Sequence, residues 1–116
     1  MKKIYISGPI TNDPQNFRKH FADMEAYLKR LGYDVLNPAD KNTDQLALKL
    51  PKGMNLFDKK AWLYFMERDI HWVADCDAFM MLKGWRESPG AQIEYWVAKK
   101  YELDIMFEED VEDDFN

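Results

Sequence analysis

Residues 77–94 read Asp-Ala-Phe-Met-Met-Leu-Lys-Gly-Trp-Arg-Glu-Ser-Pro-Gly-Ala-Gln-Ile-Glu. After Asp77 the run to Leu82 is uninterrupted and apolar, the pattern of a strand buried on both faces. Residues 83–87 read as a loop. Ser88 then offers an N-capping hydroxyl. Pro89 sits just inside the helix start, where its missing N–H and fixed φ do no harm. A helix is predicted from there to about Tyr101. Strand, short loop and capped helix in that order are half of a βαβ unit.

The flanking sequence repeats the alternation. Residues 2–7 predict a buried first strand that stops at Gly8-Pro9. Asp13-Pro14 has the form of an N-cap followed by proline at the first helical position. Phe17, Phe21, Met24 and Leu28 recur at helical spacing, Lys29 and Arg30 suit the negative helix end, and Gly32 stops the helix. Residues 33–36 predict a second strand, ended by Asn37-Pro38. Residues 39–55 are irregular, with a short helix from Asp44 through Leu50, and such segments tend to be lids or binding loops. A second long helix is predicted over 56–74, and a fourth strand over 104–107. Strands alternating with helices argue for an α/β fold with a parallel sheet covered on both faces. Ligands of such sheets bind beyond the carboxyl ends of the strands. Gly8-Pro9, Asn37-Pro38 and residues 83–90 all follow strand ends and converge on that rim.

Composition narrows the function class. The 116 residues, 47% hydrophobic, suit one domain. It is expected over 1–107, with an acidic tail over 108–116. The net charge of −5 is concentrated: six of the last nine residues are acidic, and without them 15 acids face 16 bases. The body has no basic nucleic-acid footprint, and the tail reads as a solvated, frayed end. The apolar start is cut by Gly8-Pro9, so a strand is expected rather than a targeting segment, and no apolar run is long enough to span a membrane. Cys76 is the only cysteine, which fits a reducing cytoplasm. Neither His20 nor His71 has a partner at zinc-ligand spacing, so no metal is expected.

Two acids fall where a core should have none. Trp62, Phe65, Met66, Val73 and Cys76 trace the apolar stripe of the helix over 56–74, and Asp69 lies inside it. Gly90, Ala91, Val97, Ala98 and Tyr101 surround Glu94 at helical spacing, near the positive helix end. Buried carboxylates are unfavourable unless paired or hydrogen-bonded, so each is either a satisfied structural group or a working one. As a working pair, one acid attacks or stabilises an anomeric carbon and the other protonates the leaving group. The Gly8-Pro9 turn presents N–H groups to a sugar or phosphate, with hydroxyls from Ser7 and Thr11, or is an ordinary turn. Tyr5 is core or lines the site. Trp85 stacks on a base or packs locally. Trp62, Trp72 and Trp96 read as packing residues.

Three motifs, in order, resemble the nucleoside 2-deoxyribosyltransferase-like superfamily, which includes the 2′-deoxynucleoside 5′-phosphate N-hydrolases. They are Ile4-Tyr5-Ile6-Ser7-Gly8-Pro9; Arg68-Asp69 with Trp72 and Asp77; and Ser88-Pro89-Gly90-Ala91-Gln92-Ile93-Glu94, similar to the family's Ser-x-Gly-x-x-x-Glu. The resemblance covers roughly residues 2–107 and is nearest to a small branch of phage and bacterial genomes. It implies a flavodoxin-like, Rossmann-like three-layer fold with a four- to five-stranded parallel sheet. It also implies a dimer or larger homo-oligomer with sites near subunit contacts. Glu94 would attack C1′ to form a covalent glycosyl intermediate, and Asp69 would assist departure of the base. Ser88 and Gly90 would hold the 5′ side of the sugar, and Tyr5 and Gly8 would line the first-strand rim. Residues 9–13 lack the Gly-rich, Arg-bearing loop of the N-hydrolases and are closer to the transferase style. Trp96 replaces a glycine common in the family.

The expectation is therefore an enzyme that cleaves the N-glycosidic bond of a nucleoside or nucleotide without a cofactor. Water resolving the intermediate makes it a hydrolase, and a second base makes it a transferase. The alternatives are a nucleotide-binding or sequestering module without catalysis, and a purely structural domain. No nucleic-acid polymer or membrane partner is expected.

Overall fold

A computed structural model of the chain describes residues 2–9, 15–39, 63, 67 and 70–115. Its centre is a parallel sheet of four strands, β1 (Lys3–Ser7), β2 (Asp34–Leu36), β3 (Ala78–Met81) and β4 (Asp104–Phe107), in the order β2-β1-β3-β4. Among the described residues three helices run complete: α1 (Phe17–Arg30), α2 (Pro89–Lys100) and α3 (Glu108–Phe115). Residues 70–73 are also helical, as are Leu63 and Glu67, which agrees with the end of the helix expected over 56–74. Among the described residues no helix is long and apolar enough to cross a membrane.

The two faces of the sheet follow from the two-residue period of a strand. On β1, Ile4 and Ile6 point into one core with Phe21, Met24, Leu28, Met80 and Leu82, beneath α1. Tyr5 joins Phe79, Met81, Val73, Ala91 and Ala98 in the other core, beneath α2. β3 is apolar on both faces because both faces are covered, whereas β1 carries the hydroxyls of Tyr5 and Ser7 on its α2 side. The architecture is thus the expected α/β, flavodoxin-like one, with the four-stranded sheet. Chain order and strand order part company between β1 and β3, the pair that defines the topological switch point.

The close packing at that edge depends on glycine. Leu82 N–H donates to the Ser7 carbonyl at 2.8 Å. A Cβ built on Gly8 would stand 2.7 Å from Leu82 Cβ, a contact that no side-chain rotation relieves. Across the same rim Gly84 has φ +87° and lies against Pro9, where a Cβ would be 3.2 Å from Pro9 Cγ.

α1 and α2 end alike. At α1, Gly32 N–H donates to Lys29 O and Tyr33 N–H to Leu28 O, and Gly32 takes φ +95°. At α2, Glu102 N–H donates to Lys99 O and Leu103 N–H to Ala98 O. Both are Schellman closures, which need a left-handed residue after the cap. The second closure forces Glu102 to φ +57°, a region that a residue with a Cβ enters at a cost. The cap expected at Asp13 lies outside the described residues. α1 starts after Asn16, which makes no side-chain capping bond.

The C-terminal acids are not a frayed end. They form α3, whose first turn carries Glu108, Glu109 and Asp110, where the helix dipole favours negative charge. Val111 packs against the α1-side core. Glu108 is 4% exposed and accepts from His20 Nε2 at 2.7 Å and from Lys83 N–H at 2.8 Å. Glu109 pairs with Arg86 at 2.8 Å and Glu112 pairs with Lys83. The charge run thus has fixed partners on the loop after β3. Burial pushes the Glu108 carboxyl up, but the His20 hydrogen bond, the Lys83 N–H and both positive charges outweigh it and hold it below its ordinary 4.5.

Two stability predictions follow from these details. Glu102→Gly is expected to stabilise the fold by about 1 kcal/mol by relieving the left-handed conformation, read as a higher urea midpoint. For Glu108 the folded value is depressed, so its contribution is present above the unfolded carboxyl value and is lost as pH falls through the folded one. The thermal midpoint of the native chain should therefore exceed that of Glu108→Gln at neutral pH. The gap should shrink as pH falls below about 4.5. A gap independent of pH would show that Glu108 acts through packing alone.

Candidate active site

Ser88 opens α2 as its sequence pattern predicts. It has extended backbone, its Oγ accepts from Ala91 N–H, and Pro89 occupies the first turn, at a distance of 3.3 Å for the capping bond. An N-cap of this kind is worth about 1 kcal/mol. From that start the helical period brings Ala91, Glu94 and Ala98 onto the buried face. The two alanines flank Glu94 one turn before and one turn after. Their small size lets the helix approach the sheet, and Glu94 reaches β1.

Glu94 is 5% exposed. Tyr5 Oη donates to its Oε2 at 2.5 Å and Ser7 Oγ donates to its Oε1 at 2.7 Å. Both lengths lie in the range of hydroxyl–carboxylate hydrogen bonds. The two donors share one face of β1 because they are two residues apart. The Tyr5 ring is itself fixed against Phe79, with centroids 5.1 Å apart. Each carboxyl oxygen thus has its own donor, as a buried acid needs. Ser7 ends β1, so the cluster lies at the carboxyl edge of the sheet beside the β1/β3 switch point.

The other expected site residues are placed as follows. Gly8 forms the tight contact with Leu82 at this rim. Ser88 is buried and its oxygen caps α2. Gly90 is half-buried in the first turn of α2. Asp69, the expected partner of Glu94, and Thr11 lie outside the described residues, as does Trp62. Ser7 is turned to Glu94 rather than offered to a sugar or phosphate. That contact was absent from the sequence reading, although a serine two residues after a tyrosine in an apolar strand was its available signal.

Of the two roles open to Trp85, stacking on a base or packing locally, the structure shows packing. It is 8% exposed, in a 3-10 turn over Trp85–Glu87. Tyr95 lies 4.6 Å from its ring centroid and Phe107 6.0 Å, and the Arg86 guanidinium covers it at 4.8 Å. The ring therefore packs into the α2-side core and has no exposed face to offer a base. Trp96 departs from its expectation. It was expected to pack, and it is 73% exposed, because it falls on the outer side of the helix whose inner side is Ala91, Glu94 and Ala98.

An all-parallel sheet with a flavodoxin-like strand order, carrying a buried, doubly hydrogen-bonded acid at its switch point, defines an α/β protein with a candidate active site at that edge. The chain belongs to the family described as Domain of unknown function (DUF4406), which matches residues 2–107. No curated protein matches it.

The hydrogen bonding of Glu94 yields a direct test. Tyr5→Phe keeps the ring and removes the donor, leaving one buried carboxyl oxygen without it. The expected loss is about 1–3 kcal/mol in urea unfolding. A loss no larger than for an exposed tyrosine would show that the bond does not contribute to the fold.

Proposed function

We propose that the protein cleaves the N-glycosidic bond of a nucleoside or nucleotide, with Glu94 as the nucleophile. The observation that carries this reading is the Glu94 carboxyl, buried at the carboxyl edge of the two central strands and oriented by Tyr5 and Ser7. A nucleophile is effective when its attacking atom is held in one geometry in a site of low polarity. The two hydroxyls supply that orientation. The motif Ser-x-Gly-x-x-x-Glu over residues 88–94, and its resemblance to the nucleoside 2-deoxyribosyltransferase-like superfamily, support the same assignment.

In this mechanism a Glu94 oxygen bonds to C1′ while the bond from C1′ to the base nitrogen breaks, and the electron pair leaves with the base. Asp69 delivers the proton that the leaving base needs. Water then attacks C1′ and gives a proton to the Asp69 carboxylate, which releases the free sugar and restores the Glu94 carboxylate. A second base in place of water yields a new nucleoside. Ser88 and Gly90 hold the 5′ side of the sugar, and Tyr5 and Gly8 line the first-strand rim. A homo-oligomer belongs to the same reading, and the exposed aromatic surface of Trp96 and Tyr101 on α2 and its cap supports it.

The test is release of free base from a panel of deoxynucleosides, ribonucleosides and their 5′-monophosphates, followed by chromatography. Glu94→Ala should reduce turnover by at least about 10³-fold, the scale of removing a catalytic nucleophile, with a folded circular dichroism spectrum. Asp69→Asn should slow release most for bases that leave poorly. Binding of a nucleoside with no released base would favour the non-catalytic module instead. Full activity in Glu94→Ala would refute the assignment.

A further inference from the structure

The two hydroxyls on Glu94 are not equivalent, and the difference divides the two steps of the reaction. We propose that Glu94 Oε1, the oxygen held by Ser7, is the attacking atom, that Tyr5 anchors Oε2 throughout, and that Ser7 governs how the glycosyl intermediate is resolved. The proposal rests on the N-glycosidic reading above.

Three observations carry it. The first is direction. β1 runs from Lys3 to Ser7, so Ser7 stands about 7 Å nearer the carboxyl edge than Tyr5 at the usual rise of a strand. Ligands of parallel sheets occupy that edge, so the oxygen on the Ser7 side is the one that meets them. The second is strength. The Tyr5 bond is 2.5 Å and the Ser7 bond 2.7 Å. A phenol is the more acidic donor, and its ring is held by Phe79. The oxygen that becomes an ester oxygen must give up much of its hydrogen bonding, and the Ser7 bond is the one more readily given up. The third is versatility. A serine hydroxyl donates one hydrogen bond and accepts two, and Ser7 is 1% exposed, so it finds new partners only within the site.

The steps balance. In the first, Oε1 bonds to C1′, the bond to the base nitrogen breaks, and the base takes the electron pair and a proton from the general acid. Ser7 Oγ–H is released from Oε1 while Tyr5 stays on Oε2, now the carbonyl oxygen of the ester. In the second, water attacks C1′ from the face that the base has left and gives its departing proton to the general acid's conjugate base. The C1′–Oε1 bond breaks, the carboxylate reforms, and Ser7 donates to Oε1 as it departs. Ser7 moves no net proton. It is a positioning residue in both steps, orienting Oε1 for attack and stabilising it as it leaves.

The experiment is single-turnover kinetics of the full chain with a deoxynucleoside that it cleaves, reading the burst of free base by quenched-flow chromatography and the Glu94 adduct by intact-protein mass spectrometry. In Ser7→Ala the adduct should decay about tenfold more slowly, the equivalent of one lost hydrogen bond, while the burst changes far less. Ser7→Thr, which keeps the hydroxyl on a strand-compatible residue, should restore the decay. Tyr5→Phe should slow the burst instead. If Ser7→Ala does not fold, Ser7→Cys serves the same comparison with a poorer donor of similar volume. Equal slowing of burst and decay would overturn the proposal and leave the N-glycosidic reading standing. No base released by the unaltered protein from any of the nucleosides or nucleotides would overturn both.

Discussion

Glu94 sits between Tyr5 and Ser7 inside an otherwise apolar layer, and much of the architecture is arranged to make that tolerable. A carboxyl removed from water loses hydration that only close donors replace. The two donors come from one strand, at 2.5 and 2.7 Å, and the acid comes from a helix 87 residues or more further along the chain. Their meeting therefore requires β1 and β3 to pair, and α2 to return onto the correct face. Slipping β1 by one residue would present Ile4 and Ile6 to Glu94 and leave the acid against hydrocarbon, because every side chain would change face. The buried polar cluster thus reinforces the register that the apolar cores already select.

The rim above this cluster is held from two directions. Below, Gly8 lets the β1 end lie against Leu82. Behind, α3 ties down the loop between β3 and α2 through Glu108 to Lys83 N–H, Glu112 to the Lys83 ammonium and Glu109 to Arg86. The two exposed ion pairs contribute little individually, as surface pairs do. The buried Glu108 contributes more, since it satisfies a backbone donor. This loop leads directly into Ser88, and Ser88 sets the start of the helix that carries Glu94. The C-terminal helix therefore bears on the site by limiting the freedom of the segment that positions α2.

How much of this was legible beforehand depended on range. The strands at residues 104–107 and near 78–81, the Ser88 cap and the Gly32 stop rest on local periodicity and turn chemistry, and they stand where the residue pattern placed them. The inward position of Glu94 was legible for the same reason: its helical neighbours Ala91 and Ala98 are small. What periodicity does not encode is pairing across the chain. Ser7 and Glu94 are partners only because the sheet places them together, and Glu108 is buried only because His20 and Lys83 meet it. The acidic run reads as solvated when its charges are counted and its partners are not. Trp96 was misjudged through the same gap, and the choice left open for Trp85 turned on it. The loop tryptophan Trp85 is core because Tyr95, Phe107 and Arg86 surround it. A tryptophan in a helix became surface because Glu94 and two alanines already claim the inner side.

The two faces of β1 show how one strand combines an apolar core with a buried polar cluster. Toward α1 it presents Ile4 and Ile6, which join an apolar cluster with Phe21, Met24 and Leu28. Each such side chain contributes roughly 1.5–3 kcal/mol on burial, enough to hold the strand in place without help from the other side. Toward α2 it presents Tyr5 and Ser7, side chains of lower hydrophobic yield but with hydroxyls to donate. A strand buried on both faces in a parallel sheet would ordinarily be aliphatic throughout. Substituting polar tips on one face is affordable because the opposite face is wholly apolar and because Glu94 meets both donors. The polarity is therefore confined to one layer and to its carboxyl edge, where a parallel sheet presents its ligand-binding crevice. That asymmetry within a five-residue strand lets an otherwise apolar scaffold hold an oriented acid at the edge where parallel sheets bind their ligands.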